Sequence, residues 1–360
     1  MKIIHFADYF NELTGNPIQV YANEFKKKGF EVEVFTSNMV PTPAGYDDAK
    51  SAIKIKRFKG VRFFSKCFFP GVIPYFLSNV KENDIVHAHV LGFFSTFAAG
   101  YLKFFKKFKF VLTADYDPMS KEQNFLLKAF NYFFFVVPAK NADLVLCFTQ
   151  KEKEKLVKRF NLSEKKIRVL PIGVYWQYFN KNKGKSFRKI LGLENKFVVL
   201  SVCYLYRKKN LEMAISILKY LKEEVCLVHA GGWPDLEYKK YLEELVKQSN
   251  LENRVFFLGD KKIDEIVKIY SLADVFVNTG FNESYAIPVL EAMSSGLPVI
   301  TTKVGVGKEI IKENENGFFI ENKKDLLEKT RFLFENRLLC KRIGKRINTH
   351  GVYRRFSHPL

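Results

Sequence analysis

The sequence predicts an α/β protein built from two Rossmann-like domains facing across a cleft. Three observations lead there. Short apolar runs alternate with stretches of helical period from Ile3 to Phe319. Those runs end on glycine, proline or polar turn residues, as strands buried in a parallel sheet do. The pattern also restarts: Pro171-Ile172-Gly173-Val174 and a polar, basic stretch from Lys181 to Lys189 precede a new apolar strand at Phe197. The boundary is expected near residue 175, giving domains over 1–175 and 176–360. A chain of 360 residues is long enough to bury two cores.

The first domain opens with a strand at Ile3–Phe6, a loop at Asp8–Pro17 and a helix from Ile18 to Lys28 that Gly29 closes. The alternating strand Glu31–Phe35 follows. Such an opening puts the first loop at the carboxyl end of the sheet, where open α/β folds bind ligands. Gly15, beside Asn16, is therefore a place where backbone can approach a phosphate or an acceptor, an ordinary turn glycine being the alternative. Asp84-Ile85-Val86-His87-Ala88-His89 is a strand ending in two histidines on the same side. His89, nearer the loop, is the candidate, with His87 its alternate and a packed or capping histidine the plainer reading. Asp115-Tyr116-Asp117 after the strand Val111–Thr113 forms an Asp-x-Asp, which can hold a divalent metal on a diphosphate. The pattern is common by chance, and the pair is read as loop carboxylates with no metal assigned. A buried strand at Ala142–Thr149, a charged helix at Lys151–Phe160 and a strand at Ile167–Leu170 complete this domain.

The second domain begins with the strand Phe197–Val202, the loop Cys203–Asn210 and a helix from Leu211. Cations at a loop-to-helix junction clamp diphosphates, which nominates Lys209 and, as a second cation, Arg207. Val225–Ala230 is a strand, and Gly231-Gly232 after it lets backbone approach a nucleotide. Arg254–Leu258 is the next strand. The stretch from Asn278 to Thr302 then reads loop, helix, turn, strand. Pro288 suits a first helical turn, Val289, Leu290 and Met293 form the apolar stripe, and Gly296-Leu297-Pro298 stops it before Val299-Ile300.

Two carboxylates punctuate that unit, Glu283 and Glu291. Eight helical steps would part them by roughly 12 Å, more than the roughly 5–9.5 Å at which two carboxylates flank one glycosidic bond. They suit two parts of one elongated ligand. Backbone N–H groups near Tyr285, Ala286 and Ile287 lie between them at a helix N-terminus, where anions bind. Carboxylate, anion site, carboxylate is what a nucleotide sugar requires.

The same stretch, with Glu-Ala-Met-x-x-Gly-x-Pro-Val-Ile, closely resembles the E-x7-E signature of retaining glycosyltransferases of the GT-B type, family 4 (group 1). The resemblance covers nearly the whole chain. It implies Glu283 near the donor sugar, Glu291 on the nucleotide ribose hydroxyls, and a histidine of Asp-Ile-Val-His-x-His facing the sugar. It implies the GT-B fold, the first domain binding acceptor and the second the donor. The chain departs from the family pattern at Gly15-Asn16, usually Gly-Gly, at Asp115, usually Thr-x-His, and at Cys203-Tyr204, usually Gly-Arg. The last departure removes one expected phosphate cation. The family's closing helix crosses back onto the first domain, and here the ending Tyr353–Leu360 looks short for it.

The expected reaction moves a sugar from a UDP- or GDP-sugar to an acceptor hydroxyl with retention. Lys209, Arg207 and the helix N-terminus carry the leaving diphosphate, so neither a metal nor another cofactor is required. Sugar-nucleotide epimerases of the non-hydrolysing kind share the architecture, and a non-catalytic membrane-associated binder is a third possibility. Charge bears on the partner: 59 basic against 38 acidic residues give +21, with eleven Lys/Arg and only Glu82 and Asp84 between Ser51 and Phe110. The basic-aromatic runs Lys54–Pro70 and Tyr101–Phe110 suit an anionic membrane surface, with core phenylalanines under a lysine face as the alternative. No nucleic-acid motif accompanies them. A lipid-linked or polysaccharide acceptor at the membrane is favoured. Five scattered cysteines without a C-x-x-C, no signal-like start and no long apolar run point to the cytoplasm, peripheral on the inner face of the membrane.

Overall fold

A computed structural model of the chain describes residues 1–10, 17–39, 51, 53–63, 66–116, 130–172, 184–283 and 285–349. It divides into two compact units, one ending at Pro171 and the next starting at Ile172. Residues 173–183, and with them most of the expected connection, lie outside the described residues. So do Gly15, Asn16, Asp117 and the ending Tyr353–Leu360.

The first unit carries a seven-stranded sheet of β1 (Lys2–Ala7), β2 (Glu31–Ser37), β3 (Lys54–Phe58), β6 (Ile85–His89), β7 (Lys109–Thr113), β8 (Leu144–Cys147) and β9 (Ile167–Val169). Their order is β3-β2-β1-β6-β7-β8-β9, all parallel. A small antiparallel pair, β4 (Val61–Phe63) and β5 (Lys66–Phe68), stands apart from it. The second unit holds β10 (Phe197–Val202), β11 (Val225–Ala230), β12 (Val255–Phe257), β13 (Val275–Asn278), β14 (Val299–Thr302) and β15 (Gly317–Ile320). These run parallel in the order β12-β11-β10-β13-β14-β15. Each sheet is helix-covered, which is why its central strands are buried and mostly apolar, the histidines of β1 and β6 being the exception in the first. In each, the order reverses beside the first strand, between β1 and β6 and between β10 and β13. That switch point is where the carboxyl ends of open sheets leave a crevice.

Local chemistry sets the helix starts. Thr149 caps the Gln150–Phe160 helix, accepting the Glu152 N–H at 3.1 Å. Asp235 and Asn322 do the same for the Leu236–Gln248 and Lys323–Glu335 helices. The Arg337–Thr349 helix lies against the turn that ends the Ile287–Ser294 helix: a Cβ on Gly344 would overlap the Gly296 carbonyl oxygen.

The basic-aromatic runs divide between the two readings given to them. Phe58, Phe69, Phe108 and Phe110 are buried in the first unit's core, while lysines of the same runs are exposed. Phe104 and Phe105 are exposed.

Candidate functional site

In the second unit the loops leaving β10 and β13 bring Lys209 and Glu283 together. Arg207–Lys209 is a single 3₁₀ turn, closed by Asn210 in the left-handed region before the helix begins at Leu211, where the spacing placed it. The Lys209 ammonium lies 2.8 Å from a Glu283 carboxylate oxygen, with only 15% and 9% of the two side chains exposed. Backbone ties hold the loops in place: Thr279 Oγ1 donates to the Lys209 carbonyl at 2.9 Å and the Phe281 N–H to the Lys208 carbonyl at 3.2 Å. Gly280 lies between them, and a Cβ there would come 2.7 Å from Glu283 Oε1, so a larger residue would push the carboxylate aside.

Past Glu283 the chain turns through Ala286 at φ 62° and enters the Ile287–Ser294 helix, with Pro288 in its first turn as expected. Tyr285 is fixed at both ends, its hydroxyl donating to the Ile172 carbonyl at 3.0 Å and its own carbonyl accepting the Val306 N–H at 2.8 Å. At this helix start Pro288 has no N–H and the Val289 N–H is accepted by the Ala286 carbonyl at 3.0 Å, so the donors left for an anion are those around Ile287. Only the steps from Ile287 to Glu291 are helical, so the uniform helical rise estimated between the two glutamates does not apply to the loop half of that span.

Glu291 is half-buried, and its Oε2 accepts the Tyr270 hydroxyl at 2.7 Å. Burial pushes its carboxyl up to about 7, against the lowering effect of that hydrogen bond. Tyr270 itself is fully buried on the Ile263–Leu272 helix. Nothing in the sequence spacing pointed to it, because the pairing joins two helices.

Two of the expected donor residues have neighbours that the sequence did not indicate. The Arg207 guanidinium lies over the rings of Tyr238 and Tyr241, 5.6 Å from each centroid, on the Leu236–Gln248 helix. It is engaged there as a stacked cation, not as a neighbour of the Glu283 carboxylate. Gly231, at φ 140°, has a packing reason to be glycine: a Cβ would overlap the Cys203 carbonyl oxygen. The departure Cys203-Tyr204 thus runs flush against the Gly231-Gly232 turn, with Cys203 N–H donating to the Ala230 carbonyl at 3.1 Å. Burial pushes the Cys203 thiol up to about 12, so it stays a thiol.

In the first unit the strand register sets His5 opposite His87 on β1 and β6. His5 Nδ1 and His89 Nε2 are 3.0 Å apart, and His87 Nε2 lies 2.7 Å from Thr113 Oγ1. Tyr21 covers both β6 histidines, its ring 5.8 Å from His87 and 6.4 Å from His89. All three rings are buried. Burial holds His5 down to about 3 and, with mutual repulsion, His87 and His89 well below the usual range. Alternation along β6 put His87 and His89 on one side correctly, but that side is the interior beneath the Pro17–Lys27 helix and not an open edge. His5 was missed because an apolar strand gave no reason to single it out; a histidine midway along a buried strand was the available signal.

Among the described residues, His5, His87 and His89 are the one group of His, Cys, Asp or Glu side chains close enough to share a metal ion. Of these, His5 Nδ1 and His89 Nε2 already face each other within hydrogen-bond distance, and His87 Nε2 is engaged by Thr113. Asp115 instead sits at φ 43° beside Glu152, whose two oxygens accept the Tyr116 and Phe148 N–H groups at 2.8 Å each.

Residues 18–175 match the family described as Glycosyltransferase Family 4, and residues 183–350 the family described as Glycosyl transferases group 1. The chain belongs to the group 1, family 4 glycosyltransferases. An uncharacterized glycosyltransferase of Methanocaldococcus jannaschii is 31% identical over 183 residues, 49% of this chain and 46% of that protein. The Escherichia coli UDP-Gal:alpha-D-GlcNAc-diphosphoundecaprenol alpha-1,3-galactosyltransferase is 32% identical over 197 residues, 52% of this chain and 49% of that protein. The chain therefore spans about half the length of the curated relatives it matches. Anabaena HepE, solved in complex with UDP-glucose, superposes with a TM-score of 0.81 at 19% identity, over 99% of this chain and 96% of that one. That likeness gives the glycosyltransferase chain its fold: two Rossmann-like domains of the GT-B type.

Proposed function

We propose that this glycosyltransferase moves a sugar from a UDP- or GDP-sugar to an acceptor hydroxyl with retention of anomeric configuration. The observation that carries the reading is the Lys209–Glu283 pair at the switch point between β10 and β13, one helix start away from Glu291. Lys209 exchanges part of its interaction with Glu283 for the donor diphosphate, and the Ile287 helix N-terminus adds its partial positive charge. Glu283 then orients the sugar hydroxyls. Glu291, held by Tyr270, accepts from the ribose. With lysine and helix dipole opposing the leaving diphosphate's charge, the scheme requires no metal.

The acceptor we favour is lipid-linked or a growing polysaccharide, met at the cytoplasmic face of a membrane. Two relatives support this by name: the E. coli galactosyltransferase acts on a diphosphoundecaprenol-linked sugar, and a Salmonella typhimurium relative is an O-antigen chain mannosyltransferase. Among the described residues no helix is long and apolar enough to cross a membrane.

The test is a thermal-shift panel of UDP, GDP, ADP and their common sugars, with Glu291→Ala alongside. Stabilisation by one diphosphate, lost in the variant, supports the donor site, and no shift from any of them removes it. Release of free nucleoside diphosphate only when acceptor is added separates transfer from an epimerase and from a non-catalytic binder.

A further inference from the structure

The outward side of the Phe94–Leu102 helix is aromatic where a surface helix is normally polar. Seven of its nine residues are buried, leaving Phe97 and Tyr101 as the outward pair. Beside them runs Tyr132–Val136, a single π-helical turn of sequence Tyr-Phe-Phe-Phe-Val in which no residue is fully buried. The rings of the two elements form one ladder. Phe130 lies 4.3 Å from Phe134, Phe134 is 4.6 Å from Phe97, Phe97 is 4.6 Å from Tyr101, and Tyr101 is 6.2 Å from Phe104, by ring centroids. Tyr101 Oη also donates to the Phe133 carbonyl at 3.2 Å, tying the turn to the helix. Phe104 at one end of the ladder is 64% exposed, and its sequence neighbour Phe105 and Phe133 of the π-helical turn are 81% and 53% exposed. An apolar patch of this kind on a chain with polar surface to spare marks an interaction site.

Its charge selects the occupant. Lys103, Lys106, Lys107 and Lys109 alternate with the phenylalanines between Tyr101 and Phe110, and no acid interrupts them. Lys103 is paired with Asp143 at 2.7 Å, and Lys106 donates to the Leu77 carbonyl. Lys107 lies 3.9 Å from the exposed Glu82, a contact that water weakens. Aromatic rings flanked by lysines are the arrangement by which a protein surface enters the headgroup layer of an anionic bilayer.

We propose that the face formed by Phe97, Tyr101, Phe104, Phe105, Phe130 and Phe133 docks on an anionic phospholipid bilayer. This rests on, and deepens, the membrane-surface reading of the acceptor given above. Phe104 and Phe105 enter the boundary between headgroups and acyl chains, and the lysines meet lipid phosphates.

The experiment is flotation of the full chain with vesicles of neutral phosphatidylcholine alone, or with phosphatidylglycerol added, without donor or acceptor. The chain should float with the anionic vesicles, remain behind with neutral ones, and be released by raised salt. Phe104→Ser with Phe105→Ser should lower vesicle partitioning by roughly tenfold or more. Lys107→Glu should weaken it by a smaller factor, and both variants should keep the wild-type melting temperature. Absence of flotation by the wild type, or unchanged flotation of the double variant, overturns the proposal. So does concentration-dependent dimerisation that the double variant abolishes, because the face then belongs to a second copy of the chain. Donor binding is read separately by thermal shift with UDP-glucose. A shift without flotation removes the docking face and leaves the transferase reading, and flotation without a shift does the reverse.

Discussion

Lys209 and Glu283 neutralise one another at 2.8 Å before any donor arrives. A largely shielded pair of this kind couples its members, because removing either leaves the other charge without its partner. Lys209→Met and Glu283→Gln should each lower turnover of the donor by roughly 10²–10³-fold. The double variant should fall little below the worse single one, as residues acting in one unit do. Steady-state rates of all four proteins on one donor measure this, and multiplicative losses would show that the two act independently.

Donor affinity should depend on the charge of Glu291. Its carboxyl, pushed up by burial to about 7, is protonated at mildly acid pH and then accepts fewer ribose hydrogen bonds. UDP-glucose has no phosphate proton titrating in this range, and its affinity should rise as pH increases through about 7. Folding has the opposite slope. A carboxyl raised from its unfolded value favours the folded state at low pH and loses that contribution as pH climbs towards 7. Isothermal titration between acid and mildly alkaline pH reads the first effect, and Glu291→Gln should flatten it. Tyr270→Phe, which removes the lowering hydrogen bond, should move the midpoint upward.

The three histidines give the first unit the reverse dependence. His5 falls from about 6.5 to about 3 on burial, and His87 and His89 fall well below the usual range. The folded state therefore binds fewer protons than the unfolded one, so the stability is present above about 6.5 and is lost as pH falls from there. Melting curves of the full chain at descending pH should show a loss that His5→Phe reduces. An equal loss in the variant would assign the acid sensitivity elsewhere.

Ala286 stands at φ 62°, where a Cβ costs roughly 1–2 kcal/mol. Ala286→Gly relieves that strain and gives back part of it as unfolded-chain entropy, leaving a net gain of roughly 0.5–1 kcal/mol. A melting temperature raised by about 2–4 °C at most is expected. A fall would mean that the methyl group, which lies close to Gly305, contributes more packing than its backbone costs.

Much of this was legible because the chemistry is local. Pro288, the Val289–Met293 stripe and Gly296 mark their helix in consecutive residues, and the start at Leu211 follows from the loop before it. What stayed hidden depends on neighbours far along the chain. Tyr270 meets Glu291 across two helices, Arg207 finds the rings of Tyr238 and Tyr241, and His5 joins His87 only through the pairing of β1 with β6. The histidines of β6 show the limit most sharply. Alternation gives the side on which a residue points, but whether that side is open or covered is decided by the helix packed on it.

The seat of Gly344 against the Gly296 carbonyl has a practical meaning for anyone trimming or fusing this chain. A boundary drawn after β15 or after Glu335 would keep every candidate ligand-binding side chain of the second unit. It would also discard the support under the turn that fixes where the Glu291 helix stops. A fragment of the second unit alone should therefore carry residues 337–349 with it, and library positions at Gly344 are best left unvaried.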